Sequence, residues 1–546
     1  MRRAFLSGGK SFRLLAWVGL VLALTPSGAD SQPARVYSVI LSGGAIHDGL
    51  GSPPVVADVG LVGDRIAAIG DLSAASAAIR IDARGLAIAP GFIDIHSHGD
   101  GDDAETSSLG RRPLAENYLR QGVTTFFGGQ DGSSPIEMAP FLAYFDAVKP
   151  AVHIGMFVGH GSVRAHVMGE ADRTPTVAEL AEMRAVVVQA MADGAFGLSS
   201  GLEYTPGAFA ETGELVDLAR ATASFDGLYI SHVREEGGRL MESVNEVIRI
   251  AREAGVPGQL THHKIIGKGR WGGTRVSLAA AAAARAEGVD ISLDVYPYTA
   301  SSTNFTILFP TWAKDGGFEA LQQRLADPQT RQRIRDDVIR HIEAERGGDP
   351  STIVAVRCAF DPELSGLSLA DMARVLGLEP TVPVAADLAI SLVERGSCQG
   401  VFHSMSEKDV QRVLRDEASM IASDGGIPEF GVDSPHPRGY GTFARVLGRY
   451  VRELGTLTLP DAVRKMTSAP AQRLGLADRG VLRTGAIADV VVFDPATIID
   501  HATFAEPHQY ATGVLQVFVA GAWALRDGEP TGVRAGRALR RTRAGY

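Results

Sequence analysis

The sequence predicts an α/β fold in which a TIM barrel spans residues 93–474 and a small β-rich domain is assembled from both chain ends. Three observations predict it. The chain has 546 residues, 45% of them hydrophobic, enough to bury a large core. Its middle alternates short apolar strand-like runs with helical stretches, the pattern of parallel strands joined by helices. Both flanks read instead as short strands between glycine turns. At this length a barrel with insertions is favoured over an open sheet.

Residues 1–13 carry Arg2, Arg3, Lys10 and Arg13 and no acid; the apolar run Leu14 to Leu24 follows, then a polar stretch with small residues ending near Ala29. That order is a secretory signal over residues 1–29. The apolar run is too short to span a bilayer, which takes about 20 residues. Arg2-Arg3-Ala4-Phe5-Leu6 is similar to the twin-arginine export motif, so the Sec and twin-arginine routes both stay open. No cysteine lies near the cleavage point, which excludes a lipid anchor. The expected product is periplasmic or secreted, with no membrane span.

The first flank, residues 36–92, holds strands at Tyr37 to Leu41, Val59 to Val62, Arg65 to Ile69 and around Arg80 to Ala83. The second, residues 475–546, holds Ala488 to Phe493 and Val514 to Val519 between Gly485, Gly513 and Gly521. In the middle, Val152 to Val158, Gly197 to Ser199, Leu228 to Ser231, Gly258 to Thr261 and Ile291 to Tyr296 read as strands. Helical stretches lie among them at Glu137 to Val148, Val177 to Asp193 with Thr176 as N-cap, Met241 to Ala254 and Leu278 to Glu287. Residues 311–346 are polar and helical, and with the stretch to 401 they read as an insertion carrying a loop or lid.

Composition excludes several classes. A chain this apolar, with 21% charged residues, is not disordered. Two cysteines, Cys358 and Cys398, make neither a disulfide scaffold nor a cysteine-rich zinc module, although they could pair in an oxidising compartment. The 63 glycines show no repeat period, so collagen-like and solenoid folds fall away. A formal charge of −10 argues against nucleic-acid binding by a basic face.

The chemistry gathers at strand ends. Pro90-Gly91-Phe92-Ile93-Asp94-Ile95-His96-Ser97-His98 is an apolar strand ending in two histidines two positions apart. Alternation along a strand sends both imidazoles to one side, where they can hold one metal. Ile230-Ser231-His232 ends a later strand, and His262, in Gln259-Leu260-Thr261-His262-His263-Lys264, ends the next, about one strand–helix unit on. Ile421-Ala422-Ser423-Asp424-Gly425 places a carboxylate after an apolar run near the end of the barrel. Barrel enzymes keep their catalytic groups at the carboxyl ends of strands. Four histidines and an aspartate converging there point to a metal hydrolase. His263 should point the other way along its strand and is read as structural.

The runs PGFIDIHSH, SHVRE, THHK and SDG, inside β-rich flanks, resemble the amidohydrolase superfamily. Gly197 to Gly207 (GLSSGLEYTPG), Asp294 to Ser302 (DVYPYTASS) and His436 to Phe443 (HPRGYGTF) narrow the resemblance to the D-aminoacylases, the N-acyl-D-amino-acid deacylases, over nearly the whole mature chain. The resemblance implies a zinc hydrolase on a TIM barrel with a small β-sandwich domain, cleaving the amide of an N-acyl-D-amino acid. It implies His96, His98, His232 and His262 as metal ligands, Asp424 as the catalytic aspartate, and Lys264, Tyr296, Ser302 and Arg438 as contacts to the substrate carboxylate.

One position departs from the family pattern. The family's zinc-binding cysteine falls at Asp131, within Gly129-Gln130-Asp131-Gly132. A carboxylate also ligates or bridges zinc, at about 2.0–2.2 Å. It is harder than a thiolate, so one or two ions are expected, with Mn2+ or Co2+ admitted more readily beside Zn2+. Asp424 is expected to take a proton from water and deliver it to the departing amine. Arg438 offers two parallel donors to a carboxylate and Lys264 a point charge, which would select D over L.

Two rivals are weighed. A cyclic amidase or dipeptidase of the same superfamily usually carries a carboxylated lysine on a middle strand, and Gly194 to Ser199 has no lysine. A non-catalytic exported binding protein would lack a ligand or the base, whereas only the cysteine position is changed. Gly159-His160-Gly161-Ser162-Val163-Arg164 also resembles the family but is given no chemistry. His403 is read as core, and Arg534 to Arg543 as a solvated basic tail.

Overall fold

The computed structural model describes residues 36–541; the predicted signal, residues 1–29, lies outside them. Short parallel strands occupy the middle of the chain. Phe92–Asp94 pairs with Val123–Gly128, which pairs with His153–Met156. That strand resumes as Val158–Gly159 and pairs with Gly197–Gly201. Leu228–His232, Gly258–Leu260, Ile291–Val295 and Ser419–Ile421 follow in order, each parallel to the one before. An isolated parallel bridge between Ser97 and Gly425, just past the strands, links the last of this series to the first. Every residue of these strands is buried, which is why they read as continuous apolar runs without alternation.

Helices cover the outside of these strands. Val177–Ala192 shows how local sequence sets their bounds. Thr176 Oγ1 accepts from the Glu179 amide at 3.3 Å, while the Glu179 carboxylate accepts from the Thr176 amide at 2.8 Å. This reciprocal cap satisfies two donors that the helix start would leave unpaired. Leu240–Ala254 buries Val244, Val247, Ile248 and Ala251 on one face and ends at Gly255 in the left-handed conformation. Among the described residues no helix is long and apolar enough to cross a membrane.

Both chain ends build one nine-stranded sheet, its order running 529–530, 522–526, 514–519, 490–493, 87–90, 37–46, 55–62 and 65–70. The sheet forks at Tyr37–Ile46: its first half pairs with Ala77–Asp82, while Ala45 and Ile46 pair with Ala87 and Ile88. The first strand therefore runs five residues past the expected Leu41, through a register shift at Gly43-Gly44. The glycines read as a turn in the sequence act instead as a bulge inside a strand.

The segment after Ile291–Val295 leaves the strand series and forms its own layer. Ser301–Asn304, Gln399–Phe402 and Ile353–Arg357 make a small antiparallel sheet. Helices Gly317–Ala326, Pro328–Glu345 and Val382–Glu394 pack on it around Phe305, Ile334, Val338, Ile390 and Phe402, a core distinct from the main one. Cys358 and Cys398 are joined as a disulfide across this sheet, their Cα atoms 4.4 Å apart.

The basic tail corrects an expectation. Over its described residues, 534–541, it is solvated only in part: Arg534, Arg537 and Arg540 are exposed, but Ala538 and Leu539 are buried against Ile154, and Arg540 pairs with Asp146 at 2.7 Å. Arg541 donates to the carbonyls of Phe225 and Leu474 at 3.0 and 3.1 Å. Small and apolar residues between the arginines give the segment a face that packs, while Arg541 reaches backbone acceptors.

Candidate metal centre and substrate pocket

Asp131 stands between two pairs of histidines. Its Oδ1 lies 3.5 Å from His96 Nε2 and 3.6 Å from His262 Nε2. Its Oδ2 lies 3.5 Å from His98 Nε2 and 3.8 Å from His232 Nδ1. Asp424 Oδ1 closes the first pair, 3.1 Å from His98 Nε2 and 3.6 Å from His96 Nε2. All six predicted residues thus come together. The cluster is buried apart from the His98 side chain, which is 40% exposed and marks its open side.

These side chains sit just past the strands, where carboxylates replace the regular ladder. Asp294 Oδ1 accepts from the His262 amide at 2.7 Å, and Asp94 Oδ1 accepts from the Ser423 amide at 2.9 Å. Asp131, His262 and Asp424 have left-handed backbones, φ 52°, 33° and 49°. Such conformations cost non-glycine residues about 1–3 kcal/mol each and persist only where the surroundings fix them. Around Asp131 the chain passes tightly against its neighbours: a Cβ at Gly129 would fall 2.0 Å from the Phe157 carbonyl oxygen. Glycine at that position is a steric requirement.

The donor set fits a divalent metal. Both ring nitrogens of His96, Nδ1 of His232 and Oδ1 of Asp131 are buried without a hydrogen-bond partner, a state that is costly unless something else satisfies them. The 3.5–3.8 Å separations about Asp131 are too long for hydrogen bonds. They are close to the edge of a tetrahedron of ligands about 2.0–2.2 Å from one ion, which is about 3.3–3.6 Å. His96, His98, Asp131 and Asp424 form one such group, and Asp131, His232 and His262 a second. Asp131 is common to both.

Electrostatics follow from this crowding. Burial opposes the charged form of His232, but Glu236, Asp131 and Glu203 outweigh it and raise its pKa to about 10. Burial likewise pushes the Asp424 carboxyl up, and Arg438 with the neighbouring histidines overrides it, holding the group well below the usual carboxylate range.

Lys264, Tyr296 and Arg438 also converge. The Lys264 ammonium and the Arg438 guanidinium lie 5.5 and 5.1 Å from the Tyr296 ring centre. Neither cation is idle. Arg438 donates to Asp424 Oδ2 at 2.7 Å and, through its other terminal nitrogen, to the backbone carbonyl of Ser302 at 3.4 Å. Ser302 is therefore brought to Arg438 by its backbone. Lys264 donates to Glu236 Oε1, His262 Nδ1 and the His262 carbonyl at 2.6, 2.7 and 3.0 Å. The Tyr296 hydroxyl donates to Met405 Sδ at 3.6 Å.

Other histidines fall outside the cluster. His263 turns away and meets Ser277 Oγ at 2.7 Å; its burial lowers its pKa to about 4. His160 and the fully buried Arg164 both donate to Glu214, a structural ion-pair group. His403 is partly buried against Phe504.

Sequence reading missed Glu203, Glu236 and Asp294. Each was within or next to a segment already singled out: Glu203 inside GLSSGLEYTPG, Glu236 immediately after SHVRE, and Asp294 at the head of DVYPYTASS. The signal available was their position, since Glu203 and Glu236 follow predicted strands and Asp294 lies near the end of one, on the side where the histidines emerge.

The sequence pattern of the amidohydrolase family matches residues 80–524. A D-aminoacylase of Alcaligenes xylosoxydans xylosoxydans is 39% identical over 95% of this chain and 100% of its own length. A solved D-aminoacylase, studied for its binuclear metal centre, superposes with TM-score 0.79 at 36% identity, over 92% of this chain and 100% of that one. An N-acyl-D-glutamate deacylase of Bordetella bronchiseptica, solved with zinc and a phosphonate inhibitor, superposes with TM-score 0.77 at 34% identity, over 93% and 100%. The chain belongs to the D-aminoacylase family of the amidohydrolase superfamily.

Proposed function

We propose that this protein is a metal-dependent hydrolase that cleaves N-acyl-D-amino acids to a carboxylate and a D-amino acid. The observation that carries the reading is the placement of Asp131 at the junction of the two histidine pairs, with Asp424 and Arg438 joined beside it. Zinc is the expected ion, as in the deacylase solved with zinc, and Mn2+ or Co2+ are alternatives because every donor is nitrogen or oxygen. His96, His98, Asp131 and Asp424 would hold one ion; Asp131, His232 and His262 would hold the other. A bound divalent ion supplies Lewis-acid activation of water and of an amide carbonyl.

The chain's own groups supply the rest. Asp424, ionised and held by Arg438, accepts the proton of the attacking water at a carboxylate oxygen and returns it to the leaving nitrogen. Arg438 is also the group best placed for the substrate's α-carboxylate. Its contact to the Ser302 carbonyl is long, 3.4 Å, and is readily exchanged for a charged acceptor. Arg438→Lys is expected to raise KM at least tenfold and to reduce the preference for D over L substrates, because a point charge cannot replace a planar pair of donors. Steady-state kinetics on both enantiomers check it.

The same proposal includes the architecture and location. The series of parallel strands, with its last and first members linked by the Ser97–Gly425 bridge, supports a TIM barrel over residues 93–474, with an insertion near 311–401. The fork at Tyr37–Ile46 supports a small β-sandwich built from residues 36–92 and 475–546. The pattern of residues 1–29 supports export.

The decisive assay compares N-acetyl-D and N-acetyl-L amino acids with metal-free protein to which zinc, manganese or cobalt is returned. Metal-dependent release of the D-amino acid alone is the expected result. Hydrolysis of neither enantiomer with any metal would overturn the reading.

A further inference from the structure

We propose that the acyl half of the substrate is an aminoacyl group whose free ammonium sits in a cavity beside His98, so that dipeptides ending in a D-residue are the preferred substrates. This deepens the deacylase reading above and rests on it.

The cavity, of about 190 Å³, opens on the exposed side of the histidine cluster, where Asp100, Gln130, Ser133 and Ser134 line it with His98. Asp424 separates it from the arginine assigned to the substrate's α-carboxylate. Oδ2 of Asp424 accepts from Arg438 at 2.7 Å, while Oδ1 lies 3.1 Å from His98 Nε2. An amide with its carboxylate end on Arg438 and its carbonyl at the metal centre therefore directs its acyl substituent toward this cavity.

The unmatched polar atoms around the cavity are acceptors. Gln130, 1% exposed, donates through Nε2 to the carbonyls of Ile95 and Phe127 at 2.9 and 3.1 Å. Both amide protons are thereby used, the side chain's orientation is fixed, and Oε1 is left buried with no partner. Asp100 Oδ2 accepts from the Gly129 amide at 2.6 Å, and no lysine or arginine among the described residues pairs with this carboxylate. Asp100 is outside both candidate ligand groups, so the metal site does not account for it. Ser134 is already satisfied, since its Oγ donates to the Pro135 carbonyl at 3.0 Å and accepts from the Gly159 amide at 2.8 Å.

A site of unmatched acceptors selects a ligand that brings donors. An acetyl methyl brings none and would lie against an amide oxygen and a carboxylate. An ammonium one carbon beyond the scissile carbonyl brings three donors and a charge opposite to that of Asp100. The bond chemistry is the same as for any N-acyl-D-amino acid. The oxygen of water joins the acyl carbon, the carbon–nitrogen bond breaks, and the proton held by Asp424 goes to the leaving nitrogen. Both products are then amino acids.

The test compares glycyl and propionyl amides of the same D-residue, which differ only by an ammonium in place of a methyl. Amides of D-alanine, D-leucine, D-glutamate and D-lysine are assayed with the zinc-loaded protein at about pH 7, near or below the usual α-amino pKa. For whichever D-residues are accepted, kcat/KM is expected to be at least about tenfold higher for the glycyl amide. That ratio should fall at least about tenfold in Asp100→Asn, which keeps an acceptor for the Gly129 amide and removes the charge. Circular dichroism and zinc content verify the variant, and if it fails to fold the wild-type ratio still decides. Propionyl amides cleaved as well as or better than glycyl amides would overturn the proposal and leave the deacylase reading intact. A ratio unchanged in folded Asp100→Asn would overturn it as well. Hydrolysis of no D-amide of any kind would refute the deacylase reading and this proposal with it.

Discussion

Asp131→Ala is expected to lower kcat/KM by at least about 1,000-fold, about 4 kcal/mol of transition-state stabilisation, and to strip the protein of most of its bound metal. The reason is geometric. Asp131 is the only residue shared by both candidate ligand groups, so its loss opens two coordination spheres at once. It also leaves four imidazoles facing one another without the carboxylate that lies within 3.5–3.8 Å of each. Asp131→Cys should behave differently. A thiolate restores the family's usual ligand, so zinc should be retained while manganese binds more weakly than in wild type. Metal content by elemental analysis, read beside kcat/KM for each metal, checks both arms. Full metal content and activity in Asp131→Ala would reduce the residue to a turn cap.

Asp424→Asn is expected to cost about 1,000-fold in kcat while KM changes little, with most of the metal kept by His96, His98 and Asp131. Asparagine preserves the shape of the side chain and removes its ability to take a proton, a role worth about 10²–10⁴-fold where it operates. Arg438 keeps an oxygen acceptor in the asparagine side chain at the place of Oδ2, so its contact to a substrate carboxylate, and with it KM, is largely preserved. Pre-steady-state and steady-state hydrolysis of an N-acetyl-D-amino acid test this. A variant retaining a tenth of wild-type kcat would mean that another group moves the proton.

Much of this architecture could be read from the chain because the signals were local. The candidate ligands His96, His98, His232 and Asp424 follow apolar runs and His262 ends a short predicted strand, and such endings are visible without tertiary information. Val177–Ala192 starts and stops within a residue of expectation because its cap is written in Thr176 and Glu179. What escaped depended on distant partners. Lys264 looked free for substrate because Glu236, on the preceding loop, comes within 2.6 Å only in the folded chain. The resemblance implied Ser302 as a contact to the substrate carboxylate, and its backbone carbonyl meeting Arg438 depends on Ser301–Asn304 joining a separate antiparallel sheet. The tail was misjudged for a similar reason. Arg541 looks solvated until the carbonyls of Phe225 and Leu474 are in place.

The sheet built from both chain ends bears on how the protein is made. Ala87–Pro90 pairs with Val490–Phe493, roughly 400 positions later in the chain. At about 5–20 residues per second, a ribosome delivers that partner about 20–80 s after the first strands emerge. Throughout that interval Ile88 and Ala89, both fully buried in the finished protein, lie on an unpaired edge. Recombinant yield should therefore be governed less by final stability than by how well that waiting edge is shielded during synthesis.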